Sequence, residues 1–315
     1  MTLTQLGAFV LVARLGSVRA AADALGVSEP AVSRALAALR EQLGDRLVVR
    51  EGNGMRLTEG GNRLFGIASQ MVALGAEAET AVRTARGGPA HLRLLVNSTI
   101  AEFIATPLVE AFGGRWAGAF EASAGVATVA EMRALLPNRL ADAALGPDLG
   151  ADPALGLVSE PVLRYRIVVV ASPRLRPHGS PARWPWLVDP SGTDPDSDTG
   201  RLLRALRVPD TQVRVFPNQT AAWAAAADGA GVAPAVASLV GRQVRRAELR
   251  VVETGRTPLD GRWHVTTLAP DRRSEAARRL RNFLTTPDAM HLMCSPGTGV
   301  PPSRFRPPVY VTIWS

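Results

Sequence analysis

Ser28, Ala31, Ser33 and Arg34 fall within one short stretch of the chain, and their side chains suit a single task, the reading of duplex nucleic acid. An arginine fork matches the edge of guanine or a phosphate, a serine hydroxyl bonds to either, and an alanine methyl can touch the methyl of thymine. Arg40 follows two turns later, and Arg50 and Arg56 come soon after. Exposed Arg and Ser are also what any solvated helix shows, so the elements that hold these residues decide the matter.

Leu3, Leu6, Val10 and Ala13 recur at steps of three and four residues and predict one apolar stripe on a first helix ending near Gly16. Ser17 reads as the N-cap of a second helix whose stripe is Val18, Ala21, Ala22 and Leu25, closed by Gly26. After the tight turn Gly26-Val27-Ser28, Ser28 caps a third helix with Val32, Leu36, Leu39 and Leu43 inward and Ser33, Arg34, Ala37 and Arg40 outward. Two short helices joined by such a turn make a helix-turn-helix. Residues 47–50 and 55–58 are β-rich and flank Glu51-Gly52-Asn53-Gly54, whose Asn-Gly pair signals a hairpin. This wing sets Arg50 and Arg56 beside the third helix, within reach of backbone phosphates.

These residues resemble the N-terminal winged helix-turn-helix of LysR-type transcriptional regulators along nearly all of residues 3–61. The resemblance is carried by Ser17-Val18-Arg19-Ala20-Ala21-Ala22-Asp23-Ala24-Leu25, by Val27-Ser28-Glu29-Pro30-Ala31-Val32-Ser33-Arg34, and by Leu36, Leu39, Leu43-Gly44, Leu47, Arg50 and Leu57-Thr58. It implies DNA contacts from Ser28, Pro30, Ala31, Ser33 and Arg34, with Arg50 in the wing; Ser17, Glu29, Arg40 and Arg56 complete the set of expected DNA-binding residues. It also implies double-stranded promoter or operator DNA, a small-molecule effector and a second copy of the chain as partners, with RNA polymerase as a further one. Where the family usually carries Gln, this chain has Glu29. A Gln bonds adenine bidentately, whereas Glu29 only accepts, so base preference does not transfer from relatives.

Thr58 can cap a helix over residues 59–86, with Leu64, Ile67, Met71, Leu74, Ala78 and Ala81 at helical or heptad-like spacing. In the resembling family this linker helix pairs with its copy in another subunit, which makes Leu64, Ile67, Met71 and Leu74 the expected dimerisation residues of a homodimer or homotetramer. The organisation expected is a winged helix-turn-helix domain at 1–58, the linker helix at 59–86, and a hinge at 87–91 built on Gly87-Gly88-Pro89. An effector-binding domain follows at 92–286, and a Pro-rich tail at 287–315 is expected to be disordered or loosely packed.

Strand and helix alternate after the hinge: strands at 92–96, 118–122 and 141–145, and helices at 99–112, kinked at Pro107, and 126–136. This pattern predicts a largely parallel sheet. A long strand at 162–171 leads away, residues 173–200 carry six prolines, another αβ set fills 200–252, and the chain returns through 263–268 to a helix at 274–285. The layout resembles the two-lobed, periplasmic-binding-protein-like effector domain of the same family, with lobe 1 near 92–165 and 262–286 and lobe 2 near 166–261. The fold class is thus α/β with an N-terminal winged helix-turn-helix. Ligands of such sheets sit beyond the carboxyl ends of the strands, which nominates Ser98, Thr99, Thr128, Gly146, Asn218 and Thr220. Two helix N-termini at Thr99 and Thr220 would welcome an anion, although capping alone also accounts for both threonines.

Composition sets the outer bounds. All 36 basic residues of the 315 are Arg, against 28 acids, for a formal charge of +8. Residues 1–86 hold 10 Arg against 8 acids, a net of +2, so placement rather than total charge carries the nucleic-acid reading. No apolar run reaches the ~18 residues of a membrane span. The apolar stretch 6–13 lacks the leading positive charge of a signal peptide, and a cytoplasmic location is expected. Cys294 is the one cysteine, which excludes an internal disulfide. The four histidines show no metal spacing, no dinucleotide or phosphate-loop fingerprint appears, and Asp194-Pro195-Asp196-Ser197-Asp198 reads as a solvated connection rather than a calcium loop. No cofactor, metal or catalytic residue is therefore expected. An enzyme or a small-molecule-binding module built on the α/β domain is the alternative from another class.

Overall fold

The computed structural model of the chain describes residues 1–51, 54–116, 119–150 and 155–294. Three helices come first: α1 (Leu3–Leu15), α2 (Val18–Leu25) and α3 (Glu29–Leu43). Gly16, Gly26 and Gly44 end them in turn, each with φ of 65°, the left-handed conformation that glycine reaches without steric cost. A fourth helix, α4 (Glu59–Ala85), is 27 residues long and spans about 40 Å at about 1.5 Å per residue. The single apolar stripe expected on α1 is corrected: all residues from Leu6 to Val12 are buried, because α2, α3 and α4 enclose the helix together. Leu3 and Leu43, read as inward, are instead exposed where their helices begin and end.

Between α3 and α4 run β1 (Val48–Glu51) and β2 (Gly54–Leu57), paired antiparallel with Arg50 opposite Met55 and Val49 opposite Arg56. The Gly52-Asn53 part of the hairpin signal lies outside the described residues. Thr58 does cap α4, its Oγ1 accepting from the Gly61 N–H at 2.9 Å. Asp45 ties the joint together: its Oδ1 accepts from the Leu47 N–H at 2.6 Å and from the Thr58 hydroxyl at 2.8 Å.

The remainder is an α/β unit. Its first part holds β3 (Ala90–Val96), α5 (Ser98–Phe103), α6 (Ala105–Arg115), β4 (Phe120–Val126), α7 (Val129–Leu135) and β5 (Ala143–Gly146). The long β6 (Leu157–Ala171) crosses to β7 (Trp186–Val188), α8 (Asp198–Ala205), β8 (Val213–Val215), α9 (Gln219–Ala227), β9 (Val232–Val236), α10 (Gly241–Arg245) and β10 (Arg250–Val252). Then β11 (Leu259–Leu268) returns to α11 (Glu275–Leu284) and α12 (Pro287–Cys294). Two long strands thus run between the two halves, as the out-and-back path of the sequence predicts.

Several expectations need correction. The sheet runs β4-β3-β5-β11-β6-β9-β7-β8 with β10 also on β6. It is parallel at its two ends but antiparallel wherever β6 and β11 take part, so it is mixed rather than largely parallel. The helix expected to kink at Pro107 is two helices that break at Ile104, and Pro107 sits in the first turn of α6, where a missing N–H costs nothing. The expected strand at 118–122 is centred later, at β4, and residue 118 lies outside the described residues. The 173–200 stretch contains a buried strand, β7, whose Trp186 is fully enclosed. The tail is ordered at its start: α12 packs on α6 and α11 through Ala289 and Met293, with Pro287 at its first position, where proline is tolerated. Residues 295–315 lie outside the described residues.

Candidate functional site

The outer face of α3 is open. Val32, Leu36 and Leu39 are buried while Ser28, Glu29, Pro30, Ser33 and Arg34 are exposed and Ala31 is half-buried. Ser28 holds the N-cap position, yet its hydroxyl makes no capping bond and is open to an external acceptor or donor. Arg34 makes only a long bond from Nε to the Pro30 carbonyl, 3.4 Å, so its guanidinium projects from the first turns of the helix. Ser17 caps α2 by accepting from the Ala20 N–H at 3.3 Å, which leaves its hydroxyl proton to give.

The three further arginines expected at the DNA differ in their surroundings. Arg40 is half-buried and its Nη2 donates to the Val48 carbonyl at 3.2 Å. This bond ties β1 to α3. Arg50 and Arg56 are both exposed, but the register puts Arg50 on the Val48–Met55–Leu57 face of the ribbon and Arg56 with Val49 on the other. The two guanidinium-bearing positions thus lie on opposite faces of the ribbon, not side by side. Arg19 is exposed in the first turn of α2.

On α4 the expected dimerisation residues divide. Ile67, Met71 and Leu74 are exposed and continue to Val82, giving an unpartnered apolar stripe at helical spacing. Leu64 is instead half-buried against the core shared with α1, because it lies on the flank of α4 that also buries Ala68 and Val72.

A cavity of about 160 Å3 lies between the two halves of the α/β unit. Ser98, Thr99 and Thr128 line it as the sequence predicts; Asn218, Thr220 and Gly146 do not. The reason is capping and a charge from within. Asn97 and Asn218, not the threonines, cap α5 and α9, accepting from the Ile100 and Ala221 N–H groups at 2.9 and 2.8 Å. The N-terminus of α9 already holds an anion: Glu102, only 1% exposed, accepts from the Gln219 and Thr220 N–H groups, both at 2.9 Å, and from the Thr220 hydroxyl. One of the two helix ends nominated for an anionic ligand, that of α9, is thus filled by the chain's own carboxylate, which bridges the two halves. Burial pushes the Glu102 carboxyl above the usual carboxylate range, against the pull of its three donors. Thr128 caps α7 in a reciprocal box with Glu131.

Residues that sequence reading missed make up much of the wall. Tyr165 and Trp263 lie with ring centroids 4.9 Å apart and planes tilted by 38°. Gly261 permits this, since a Cβ there would fall 2.5 Å from the Tyr165 ring. The Tyr165 hydroxyl donates to Asp198, which also pairs with Arg201, and burial raises the Asp198 carboxyl above its ordinary value. The Asp194–Asp198 segment, read as a solvated connection, forms one side of the cavity because Ser197 caps α8 there and turns the chain inward.

Comparison with known proteins agrees with this arrangement. Residues 3–62 match the bacterial regulatory helix-turn-helix protein, lysR family, and residues 85–287 match the LysR substrate binding domain. An uncharacterized HTH-type transcriptional regulator of Mycobacterium tuberculosis is 35% identical over 326 aligned positions that cover 100% of both chains. HTH-type transcriptional regulator CfxR of Cupriavidus necator is 29% identical over 90% of this chain and 91% of its own. The solved Vibrio cholerae virulence activator AphB, a member of the LTTR family, has the same fold at a TM-score of 0.53 and 18% identity, covering 90% of this chain and 98% of AphB. Full-length LysG of Corynebacterium glutamicum with bound effector Arg aligns at a TM-score of 0.51 and 23% identity, covering 90% and 97%. The chain belongs to the LysR family of DNA-binding transcriptional regulators, with an N-terminal helix-turn-helix and an effector-binding domain.

Proposed function

We propose that this regulator acts as a symmetric assembly in which α3 of each copy enters the major groove of one operator half-site. The observation that carries the reading is the asymmetry of α3: Val32, Leu36 and Leu39 are buried, while Glu29, Pro30, Ser33 and Arg34 are exposed among the described residues. Small side chains beside Arg34 let the helix approach base edges. The ribbon arginines Arg50 and Arg56 would hold the phosphate backbone, with Arg40 positioning the ribbon, while Ser17 and Ser28 bond to phosphates near the helix starts. The bare stripe of Ile67, Met71, Leu74 and Val82 supports pairing of α4 with a second copy, which brings two recognition helices to half-sites about one turn of DNA apart. A dimer is the minimal unit, and a tetramer and contact with RNA polymerase fit the same scheme.

The organisation that goes with this is a DNA-binding unit near 1–58, a linker helix near 59–86 and an effector-binding domain near 92–286, whose two lobes enclose the cavity beside Ser98, Thr99 and Thr128. Occupancy of the cavity would bias how the copies present their helices. The chain works as a regulator and not as an enzyme, in the cytoplasm where promoter DNA is found; among the described residues no helix is long and apolar enough to cross a membrane. A gel-shift titration of the full chain on DNA flanking its coding region tests the proposal. It should show a specific complex that weakens steeply between about 50 and 200 mM salt. Equal affinity for flanking and unrelated fragments at every salt concentration would overturn it.

A further inference from the structure

We propose that the cavity between the lobes takes a compact organic cation, an amine or a guanidine on an apolar body, and not an anion. The inference rests on the reading of the α/β unit as effector-binding and adds the chemical class of its ligand. Three carboxylates, Glu131, Asp194 and Asp198, belong to the cavity wall, and among its described residues there is no Arg or His. Outside the wall, Arg201 already lies on Asp198, and the His264 ring stands 4.0 Å from Asp148. Of the two helix ends nominated for an anion, the one at α9 is closed by Glu102.

Independent of the carboxylates, the wall holds two buried polar atoms without partners among the described residues, of which the Gln219 oxygen accepts only and the Ser98 hydroxyl can accept or give. Gln219 is 7% exposed, gives its Nε2 proton to Thr99 at 2.6 Å, and leaves Oε1 buried with no hydrogen-bond partner. The Ser98 Oγ is likewise buried without one. A buried acceptor left unsatisfied is costly, and a ligand N–H would satisfy it. The same wall includes the tilted pair Tyr165 and Trp263, with Ile167 and Val236, which adds an apolar and aromatic surface. Aromatic faces attract cations and repel carboxylates. The volume, about 160 Å3, is close to that of a cavity of roughly 150 Å3 that holds benzene in another protein, which fits one small ring or a short chain.

The test is a ligand-observed NMR titration of the full chain with three probes of one shape: benzylamine, benzyl alcohol and benzoate. Benzylamine is expected to bind with a Kd on the order of 1 mM or below, at least about tenfold tighter than either of the other two. Asp198→Asn should remove most of that preference. Because Asp198 also holds Tyr165 and Arg201, Asp194→Asn serves as a second variant; it should narrow the preference for benzylamine with the unliganded melting temperature unchanged. Benzoate binding as tightly as benzylamine, no binding of any probe, or a preference untouched in both variants would each overturn the proposal. A gel shift on the same preparations separates this failure from failure of the regulator reading, since specific DNA binding that persists leaves the latter standing.

Discussion

Gly61→Ala probes the joint between the wing and α4, and its predicted effect has the opposite sign to what helix propensity alone dictates. Replacing a helical glycine by alanine ordinarily stabilises by about 0.5–1 kcal/mol. At Gly61 the new Cβ would lie 2.0 Å from the Leu47 carbonyl oxygen and 2.9 Å from its carbon, and backbone cannot swing aside as a side-chain tip does. Relief requires moving Leu47, which has φ of 60° and is 2% exposed. That movement breaks the bond from the Thr58 N–H to the Leu47 carbonyl, 3.0 Å. Overpacking costs about 1–3 kcal/mol and the lost bond about 0.5–1.5, so after the propensity gain a net loss of about 0.5–4 kcal/mol remains. Gly66→Ala in the same helix is the control: nothing lies within 4 Å of its Cβ, and it should stabilise by about 0.5–1 kcal/mol. Urea unfolding followed by circular dichroism gives both numbers, and hydrogen exchange at the Thr58 amide localises the damage. Gly61→Ala should also weaken DNA binding, since the ribbon carrying Arg50 and Arg56 is displaced. Equal stabilisation by both substitutions would refute the reasoning.

Four further outcomes are expected. Arg40→Ala should leave the three helices folded but free the wing, with faster hydrogen exchange along β1 and β2 and a drop in DNA affinity; unchanged exchange would return Arg40 to a direct DNA role. Ile67→Asp combined with Leu74→Asp should convert the assembly to monomers in sedimentation, with the far-ultraviolet spectrum preserved; a persisting dimer would place the interface elsewhere. Glu102→Ala leaves the Gln219 and Thr220 N–H groups without their acceptor and should cost about 2–4 kcal/mol in urea unfolding of the α/β unit; no change would deny the bridge a structural role. The two perturbed carboxyls should act oppositely with pH. The Leu47 N–H, then the Thr58 hydroxyl, lowers Asp45, so its contribution is present above 3.8 and is lost as pH falls through the lowered value. Burial raises Glu102, so its contribution is complete below 4.5 and is lost as pH rises through the raised value. Asp45→Asn and Glu102→Gln should each flatten the matching limb of a stability-against-pH curve, and a limb that survives its variant would refute that assignment.

The DNA-facing half of the molecule was legible because its signals are local. Gly16, Gly26 and Gly44 end their helices where the periodicity stops, and the exposed face of α3 follows from the spacing of Val32, Leu36 and Leu39. What spacing could not show is which exposed-looking residue another element would cover. Arg40 is claimed by the Val48 carbonyl and Leu64 by the core around α1, both consequences of tertiary packing. The cavity was half legible, since the rule that ligands sit past strand ends found Ser98, Thr99 and Thr128. Tyr165, Asp198, Gln219 and Trp263 come from segments far apart in sequence and meet only when β6 and β11 cross. Glu102 had a usable signal, an acid between Ile100 and Phe103 in an apolar stretch, since buried acids need partners. Its partner lies 117 residues away, beyond any local pattern.

The central claim, that the open face of α3 reads operator DNA in a paired assembly, is tested most directly by footprinting the DNA upstream of the coding region with the full chain and with Arg34→Ala. Arg34 is exposed and bonds only weakly to its own helix, so the variant should keep the fold, the melting temperature and the oligomeric state. The account predicts two protected patches about one helical turn apart for the parent chain and none for Arg34→Ala under the same conditions. The same protected patches in the folded variant, with unchanged affinity, would contradict it.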